Sequence, residues 1–388
     1  MKKLKNKGII FANTLWFIHN FKMPLIEELK QQNFDIEIIY LRLGPPINIK
    51  NKNLTKDIEI YNFYEYLFLS FKKYLQKKNI GKSFLFSFTI GPIFLSLIPI
   101  FNKSEKFATL EGLGRIFSSR KIFYRFLKRI VQIIYKIIFH KFYKGIFVLN
   151  YSDYAYLLEK NIVEISKLHI IPGTGINSSI FNPDNLYKRR LELNLFEKGR
   201  NNSLKIDELF VSYIGRISIE KGFYRFLAAI TYLLNDKKYS SLKFQIVAPK
   251  NDISKIDKDL KNFFFNKKVV LNEYVENPLD YYANSKIIIL PTTYGEGLSR
   301  VALEAGMLGV PVVAVQNRGL SSLFMDGILG ETTSDLEPYG ISRLIMQIIN
   351  NYKKYSYLPK SVFENLASKY DNKVSANSVV DVLSSYIY

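Results

Sequence analysis

The sequence predicts an α/β protein of two doubly wound domains with parallel sheets, on three observations. Short apolar runs punctuated by Gly, Pro, Asn and Asp alternate with longer amphipathic stretches along the whole chain, as strands alternate with crossover helices. Two of these runs open directly into glycine-containing turns, at 215–222 and 293–299, where the backbone can approach a ligand closely. A polar stretch, 177–207, interrupts the alternation with Pro183 and Gly199 and marks a domain boundary. The expected division is 1–185, then 186–365, then a C-terminal helix at 366–388 that packs back onto the first domain.

The first domain is expected to begin with a buried strand at 8–13 behind a basic lead. A helix at 23–32 follows, with Pro24 in its first turn, and then a strand at 34–40. Residues 84–101 hold no charge over 18 residues, the lower bound for a membrane-spanning helix. Gly91, Pro92 and Pro99 split that run, so it reads as a strand at 84–90 and a short helix from Pro92. Strands at 107–110, 146–150 and 169–171 complete this half, with Ser152-Asp153 as a helix cap. In the second half the strands fall at 209–214, 243–248, 269–272, 287–291 and 310–315, and one long helix, 361–388, closes the chain.

Composition narrows the function. The 388 residues are 48% hydrophobic, enough apolar material for two ordinary domains. Without Cys the chain has no disulfide, no Cys–zinc site and no Cys nucleophile. Its three histidines, His19, His140 and His169, argue against a multi-His metal site. The apolar run of the N-terminus is broken by Asn13 and His19, unlike a signal peptide. The net charge of +21 is uneven: 28 Lys+Arg against 13 Asp+Glu in 1–185, and 27 against 21 in 186–388. Two readings of the basic half stand. One is an anionic partner, whether nucleic acid, lipid or a phosphorylated substrate. The other is a compositional bias toward Lys, Asn, Ile, Phe and Tyr, which leaves the asymmetry unexplained.

Residues 120–145 concentrate this charge. Arg120, Lys121, Arg125, Lys128, Arg129 and Lys136 interleave with apolar residues, and Lys121, Arg125, Lys128, Arg129 and Lys136 fall on one helical face. The segment reads either as an interfacial helix facing anionic headgroups or as a surface helix with solvated Lys and an apolar stripe turned to the core.

The strongest chemical signal is Thr293-Tyr294-Gly295-Glu296-Gly297-Leu298-Ser299-Arg300-Val301-Ala302-Leu303-Glu304. Ser299 is placed to cap a helix over 300–308, whose N-terminus suits a phosphate. Glu296 in the loop and Glu304 over a turn into the helix supply acceptors for sugar and ribose hydroxyls. The second signal is Gly215-Arg216-Ile217-Ser218-Ile219-Glu220-Lys221-Gly222, where Arg216 and Lys221 after a strand can neutralise a diphosphate. Asp257-Lys258-Asp259 is formally a D-x-D but lies in a Lys-rich polar helix and reads as solvated surface.

Both motifs resemble those of glycosyltransferase family 4, whose GT-B fold sets two Rossmann-like domains face to face across a cleft. Glu296 and Glu304 match its E-x7-E pattern, and Arg216 and Lys221 match its diphosphate-binding pair. The segments 19–25, 111–114 and 175–177 are similar to the branch acting on undecaprenyl-diphosphate-linked sugars, and resemble in particular bacterial N-acetylgalactosaminyltransferases. The resemblance implies a UDP-sugar donor, retention at the anomeric carbon, and no metal or other cofactor. Donor binding would fall to Gly215, Arg216, Lys221, Val275, Gly295, Glu296, Gly297, Leu298, Ser299 and Glu304. Arg216, Lys221, Glu296 and Glu111 would be catalytic, and His19, Lys22, Glu111 and Gly112 would hold the acceptor. The Gly-rich loop many members carry after the first strand is replaced by Asn13-Thr14-Leu15-Trp16, and no His stands near Glu111. The implied setting is the inner face of the cell membrane, with a lipid-linked or oligosaccharide acceptor and no nucleic acid. The alternatives are a transferase of capsule, O-antigen or lipooligosaccharide core with another donor, a noncatalytic sugar-nucleotide-binding subunit, and a basic nucleic-acid-binding protein.

Overall fold

The structure, a computed structural model, describes residues 6–43, 58–75, 83–118, 122–197, 203–267, 269–275 and 277–387. Arg120, Lys121 and Gly199 lie outside them. The chain divides into two compact units, Met1–Gly175 with Tyr370–Tyr388, and Ile176–Lys369.

The N-terminal unit contains β1 (Lys7–Ala12), β2 (Asp35–Tyr40), β3 (Glu59–Asn62), β4 (Ser83–Phe88), β5 (Glu105–Leu110), β6 (Gly145–Val148) and β7 (Leu168–Ile170). They form one sheet in the order β3-β2-β1-β4-β5-β6-β7, and every pairing is parallel. The inner strands β1, β4 and β6 are near-continuous apolar runs, as a sheet covered on both faces requires. The C-terminal unit contains β8 (Phe210–Ile214), β9 (Lys243–Ala248), β10 (Val269–Glu273), β11 (Ser285–Leu290), β12 (Val312–Val315) and β13 (Gly330–Thr333). Their order is β10-β9-β8-β11-β12-β13, again all parallel. In each sheet the chain runs outward from a central strand and then returns to that strand's other side. The direction of winding therefore reverses between β1 and β4, and between β8 and β11. A crevice opens at such a switch point, beyond the C-terminal ends of the two strands.

The sheets explain why 84–101 is apolar without spanning a membrane. β4 lies between β1 and β5, and the helix Ile90–Leu95 covers the sheet behind it. Among the described residues no helix is long and apolar enough to cross a membrane. The strands β3 and β13 escaped the sequence reading because EIYN and GETT are four residues each and largely polar. The helix after β6 is capped by Asn150, whose side chain accepts from Asp153 N, rather than by Ser152-Asp153.

Two expectations about the ends of the units differ from the structure. The division falls at 175/176 instead of 185/186, because the helix Pro183–Glu192 belongs to the C-terminal unit. Its Arg189 Nε bonds Asp280 at 2.7 Å, and Arg190 donates to the carbonyls of Ala283 and Ser285, each at 3.1 Å. The expected single helix at 361–388 is two, Lys360–Tyr370 and Asn372–Ile387, parted at Asp371. The first is tied to the C-terminal unit through Lys369 and Asp326. The second lies on the helix Met23–Gln31 of the N-terminal unit, where Ser375 Oγ donates to the Gly173 carbonyl and Tyr386 OH to the Ser166 carbonyl.

Candidate active site

The switch point of the C-terminal unit collects the donor-binding candidates. The loop 215–222 leaves β8, and the loop 291–299 leaves its neighbour β11. Tyr213, 1% exposed, reaches forward to donate its hydroxyl to the Arg216 carbonyl at 2.5 Å. Asp252 accepts from Ile217 N at 2.9 Å, which holds the next residue of the loop. Arg216 itself is exposed at the loop's tip. The loop ends at Gly222, which begins the helix Phe223–Asn235 at φ 74°. A Cβ there would stand 2.0 Å from the Pro291 carbonyl oxygen, so only glycine allows the two loops this approach. Thr292 Oγ1 adds a second link, donating to the Glu220 carbonyl at 3.1 Å.

This packing brings the two sequence motifs into direct contact. Lys221 Nζ pairs with Glu296 Oε1, and both side chains are largely shielded from water. An ammonium so paired keeps further N–H donors, and the carboxylate supplies acceptors beside it. Ser299 caps the helix Arg300–Leu308 as expected, its side chain accepting from Ala302 N.

Glu304 is 7% exposed, and the protein engages both of its oxygens. Oε1 receives Arg300 Nε at 2.6 Å, and Oε2 receives the hydroxyl of fully buried Tyr282 at 2.6 Å. A carboxylate has about four acceptor directions, so hydroxyl binding remains open to it. Burial, and then the Glu304 charge, push the Tyr282 hydroxyl well above the usual tyrosine range, which keeps it a donor. Tyr274 is pushed up to about 12 by burial and then by Asp252, with Arg216 opposing. It therefore stands within electrostatic reach of Arg216, beside Val275. Tyr213, Asp252, Tyr274 and Tyr282 are neighbours of the candidate site that lie outside both motifs, and Arg300, inside the 293–304 motif, was given no role by the sequence reading. Gly319 is another neighbour: a Cβ on it would lie 2.6 Å from the Glu296 carbonyl oxygen.

In the N-terminal unit, Lys22 and Glu111 meet. Lys22, 4% exposed, places Nζ 2.7 Å from Glu111 Oε1 and 4.4 Å from the ring centroid of Phe88. Gly112 beside it has φ 120°, a conformation open to glycine. A small pocket here is lined by Lys22, Phe88, Thr109, Gly173, Asn372 and Ser375, among others. His19 sits in the helix Leu15–Phe21 and is not among the lining residues. Thr14, in place of a Gly-rich loop, caps that helix by accepting from Phe17 N at 3.0 Å. Asp257 likewise caps the helix Lys258–Asn266, accepting from Leu260 N at 2.8 Å.

Residues 196–362 match the family of glycosyl transferases group 1. This segment contains every donor-binding candidate. The fold of the whole chain is GT-B, an α/β fold of two domains. In fold and in this segment the chain is similar to glycosyltransferases. Among particular proteins, the capsular polysaccharide biosynthesis glycosyltransferase CapM of Staphylococcus aureus is 24% identical over 230 residues, or 59% of this chain. The match spans 57% of CapM's own length, just over half. A Campylobacter jejuni protein, named N,N'-diacetylbacillosaminyl-diphospho-undecaprenol alpha-1,3-N-acetylgalactosaminyltransferase, is 24% identical over 375 residues, 92% of this chain and 93% of its own. Among solved structures, Anabaena HepE in complex with UDP aligns with a TM-score of 0.71 at 14% identity, covering 98% of this chain and all of that one. That last likeness concerns the fold alone.

Proposed function

We propose that this protein is a retaining, metal-independent glycosyltransferase of family 4. It transfers a sugar, with an N-acetylhexosamine among the candidates, from a UDP-sugar to an undecaprenyl-diphosphate-linked saccharide. It works as a peripheral protein at the inner face of the cell membrane. The observation that carries this reading is the contact of Lys221 with Glu296 where the loops after β8 and β11 converge. Lys221 and Arg216 offset the charge that gathers on the departing diphosphate, an interaction that strengthens as the bond to the sugar breaks. Glu296 accepts hydroxyls of the donor sugar. Glu304, oriented by Tyr282 and Arg300, accepts ribose hydroxyls. Lys22 and Glu111 hold the acceptor saccharide. The UDP in the HepE structure and the undecaprenol-linked substrate in the Campylobacter relative's name support the choice of donor and acceptor.

A panel of UDP-sugars with an undecaprenyl-diphosphate-linked acceptor, read as UDP release, tests this. Lys221→Ala and Glu296→Ala are each expected to lower turnover by roughly 10²-fold or more while the fold persists, and EDTA is expected to leave the rate unchanged. Full activity in either variant overturns the site, and a strict Mn²⁺ requirement overturns the mechanism. The likeness to CapM favours a second reading, transfer in capsule assembly with a different donor. The same panel separates the two by which sugar releases UDP.

A further inference from the structure

The N-terminal unit presents apolar side chains to solvent on two helices of one layer. The helix Ile122–Phe142 packs Tyr135, Ile138 and Phe139 into the core. Its outer side carries a second apolar stripe, Ile122, Phe126, Ile130, Ile133 and Ile137, with Ile122 83% and Phe126 68% exposed. A surface helix of a soluble protein keeps one apolar face, and this one has two. The helix Phe63–Leu75 repeats the feature. Tyr66 packs into the core, while Tyr64, Phe68 and Phe71 stand outward, 76%, 74% and 66% exposed. Their spacing of four and three residues places them on one face.

Both helices cover the same face of the sheet. Tyr66 packs with Ile9, Phe11 and Leu85, and the 122–142 helix packs with Ala108, Leu110, Ile146 and Val148. The strand register pairs Ile9 with Leu85, Ser87 with Ala108, and Ala108 with Ile146. Residues paired in register, or two apart on a strand, point to one side, so both clusters lie on that side. The helix Ile90–Leu95 lies between them, with Ile93 in one cluster and Leu95 against the other.

The charge around the stripe selects its occupant. The sequence of the 122–142 helix contains no Asp or Glu, and its exposed Arg125, Arg129, Lys136 and Lys141 interleave with the outer apolar residues. Lys128, expected on this basic face, instead turns inward and stacks over Tyr156 at 4.8 Å. A second copy of the chain meeting this helix symmetrically would set basic residue against basic residue. An anionic lipid surface satisfies both the charge and the apolar stripe.

We propose that the outer face of the layer formed by the Phe63–Leu75 and Ile122–Phe142 helices docks on anionic lipid, with the apolar stripes in the headgroup boundary and the flanking Arg and Lys on the headgroups. This rests on the reading of the protein as a transferase for a lipid-linked acceptor and supplies the surface that reading needs.

Flotation with phosphatidylcholine vesicles, with and without phosphatidylglycerol, tests the proposal on the full-length protein. The wild type is expected to float with the anionic vesicles and to be released by high salt. The Phe126→Asp/Ile133→Asp and Phe68→Asp/Phe71→Asp pairs are each expected to lower partitioning at least tenfold. Each Arg→Gln or Lys→Gln at 125, 129 and 136 should lower it about fivefold. Phe265→Asp, at an exposed site of the C-terminal unit, should leave it unchanged. These side chains are exposed, so melting curves should not move. Absence of flotation, equal binding to neutral vesicles, or indifference to the 68/71 pair overturns the proposal. So does a dimer in sedimentation that the same substitutions abolish. Calorimetric UDP binding, unchanged in every variant, reports separately on the donor site; its absence in the wild type would overturn the transferase reading and not the docking surface.

Discussion

On the proposed reading, Lys221 and Glu296 each have two roles that compete. They neutralise one another, yet a diphosphate draws the ammonium and a sugar hydroxyl needs the carboxylate. UDP bound without its sugar would draw Lys221 toward the diphosphate and offer the carboxylate no hydroxyl in return. Glu296→Gln keeps the shape and removes the competing charge. It is expected to tighten UDP binding several-fold, the equivalent of about 1 kcal/mol, while lowering sugar transfer on the order of 10²-fold. Calorimetry with UDP beside a transfer assay reads both, and weaker UDP binding in the variant would count against the pairing. Glu304 is constrained differently, because Tyr282 and Arg300 already orient both its oxygens. Place after a strand and the motif resemblance picked out Glu296, Glu304, Arg216 and Lys221: three sit in strand-to-helix turns, and Glu304 lies a turn into the helix that follows. Neither could find Tyr282 or Asp252. Those two stand on the short helices Leu279–Ala283 and Lys250–Ser254, at places in the chain where nothing local distinguishes them.

The two loops that carry the donor candidates work as a pair because a glycine lets them touch. Gly222 combines a left-handed conformation with a 2.0 Å approach of its Cβ position to the Pro291 carbonyl. Gly222→Ala is therefore expected to cost on the order of 3 kcal/mol and to lower the melting temperature of the C-terminal unit by roughly 6–12 °C. The loops should part as well, so donor affinity should fall with stability. A melt within a degree of wild type would show that the loops are not locked in this way. Regular elements with strong apolar runs, such as β1, β4, β8, β9 and β11, were legible from the sequence to within two residues or so. Short polar edge strands were not, because β3 and β13 are strands by virtue of a neighbour's hydrogen bonds and not of their own residues.

Tyrosine hydroxyls lie in the buried interior of both units. Tyr66 is pushed up to about 12 by burial and then by the Glu37 charge. Tyr282 goes well above its usual value, and Tyr135, Tyr143 and Tyr213 are raised by burial. A group whose folded value is raised binds its proton more tightly in the native state. The resulting stability is fully present below the unfolded value near 10 and is lost as pH rises through the folded one. The protein is expected to hold its melting temperature up to about pH 10 and to lose it steeply between there and 12 and above. Tyrosine absorbance at alkaline pH should show a class that ionises only on unfolding. Smooth titration of all tyrosines near pH 10 with the fold intact would contradict this.

The chain's linear order set out a doubly wound α/β architecture, a divided chain, two glycine-containing turns and a capped helix. Each of those follows from periodicity, from glycine and proline, or from groups a few residues apart. Folding settled which of these meet. Lys221 stands on Glu296 because β8 and β11 are neighbours at the reversal of winding. The last helix returns to the first unit because Asp371 breaks it. The 122–142 helix shows apolar residues on both sides, and only its packing against the sheet reveals which stripe is left outside. Such facts depend on contacts between residues far apart in the chain, and local residue pattern does not encode them.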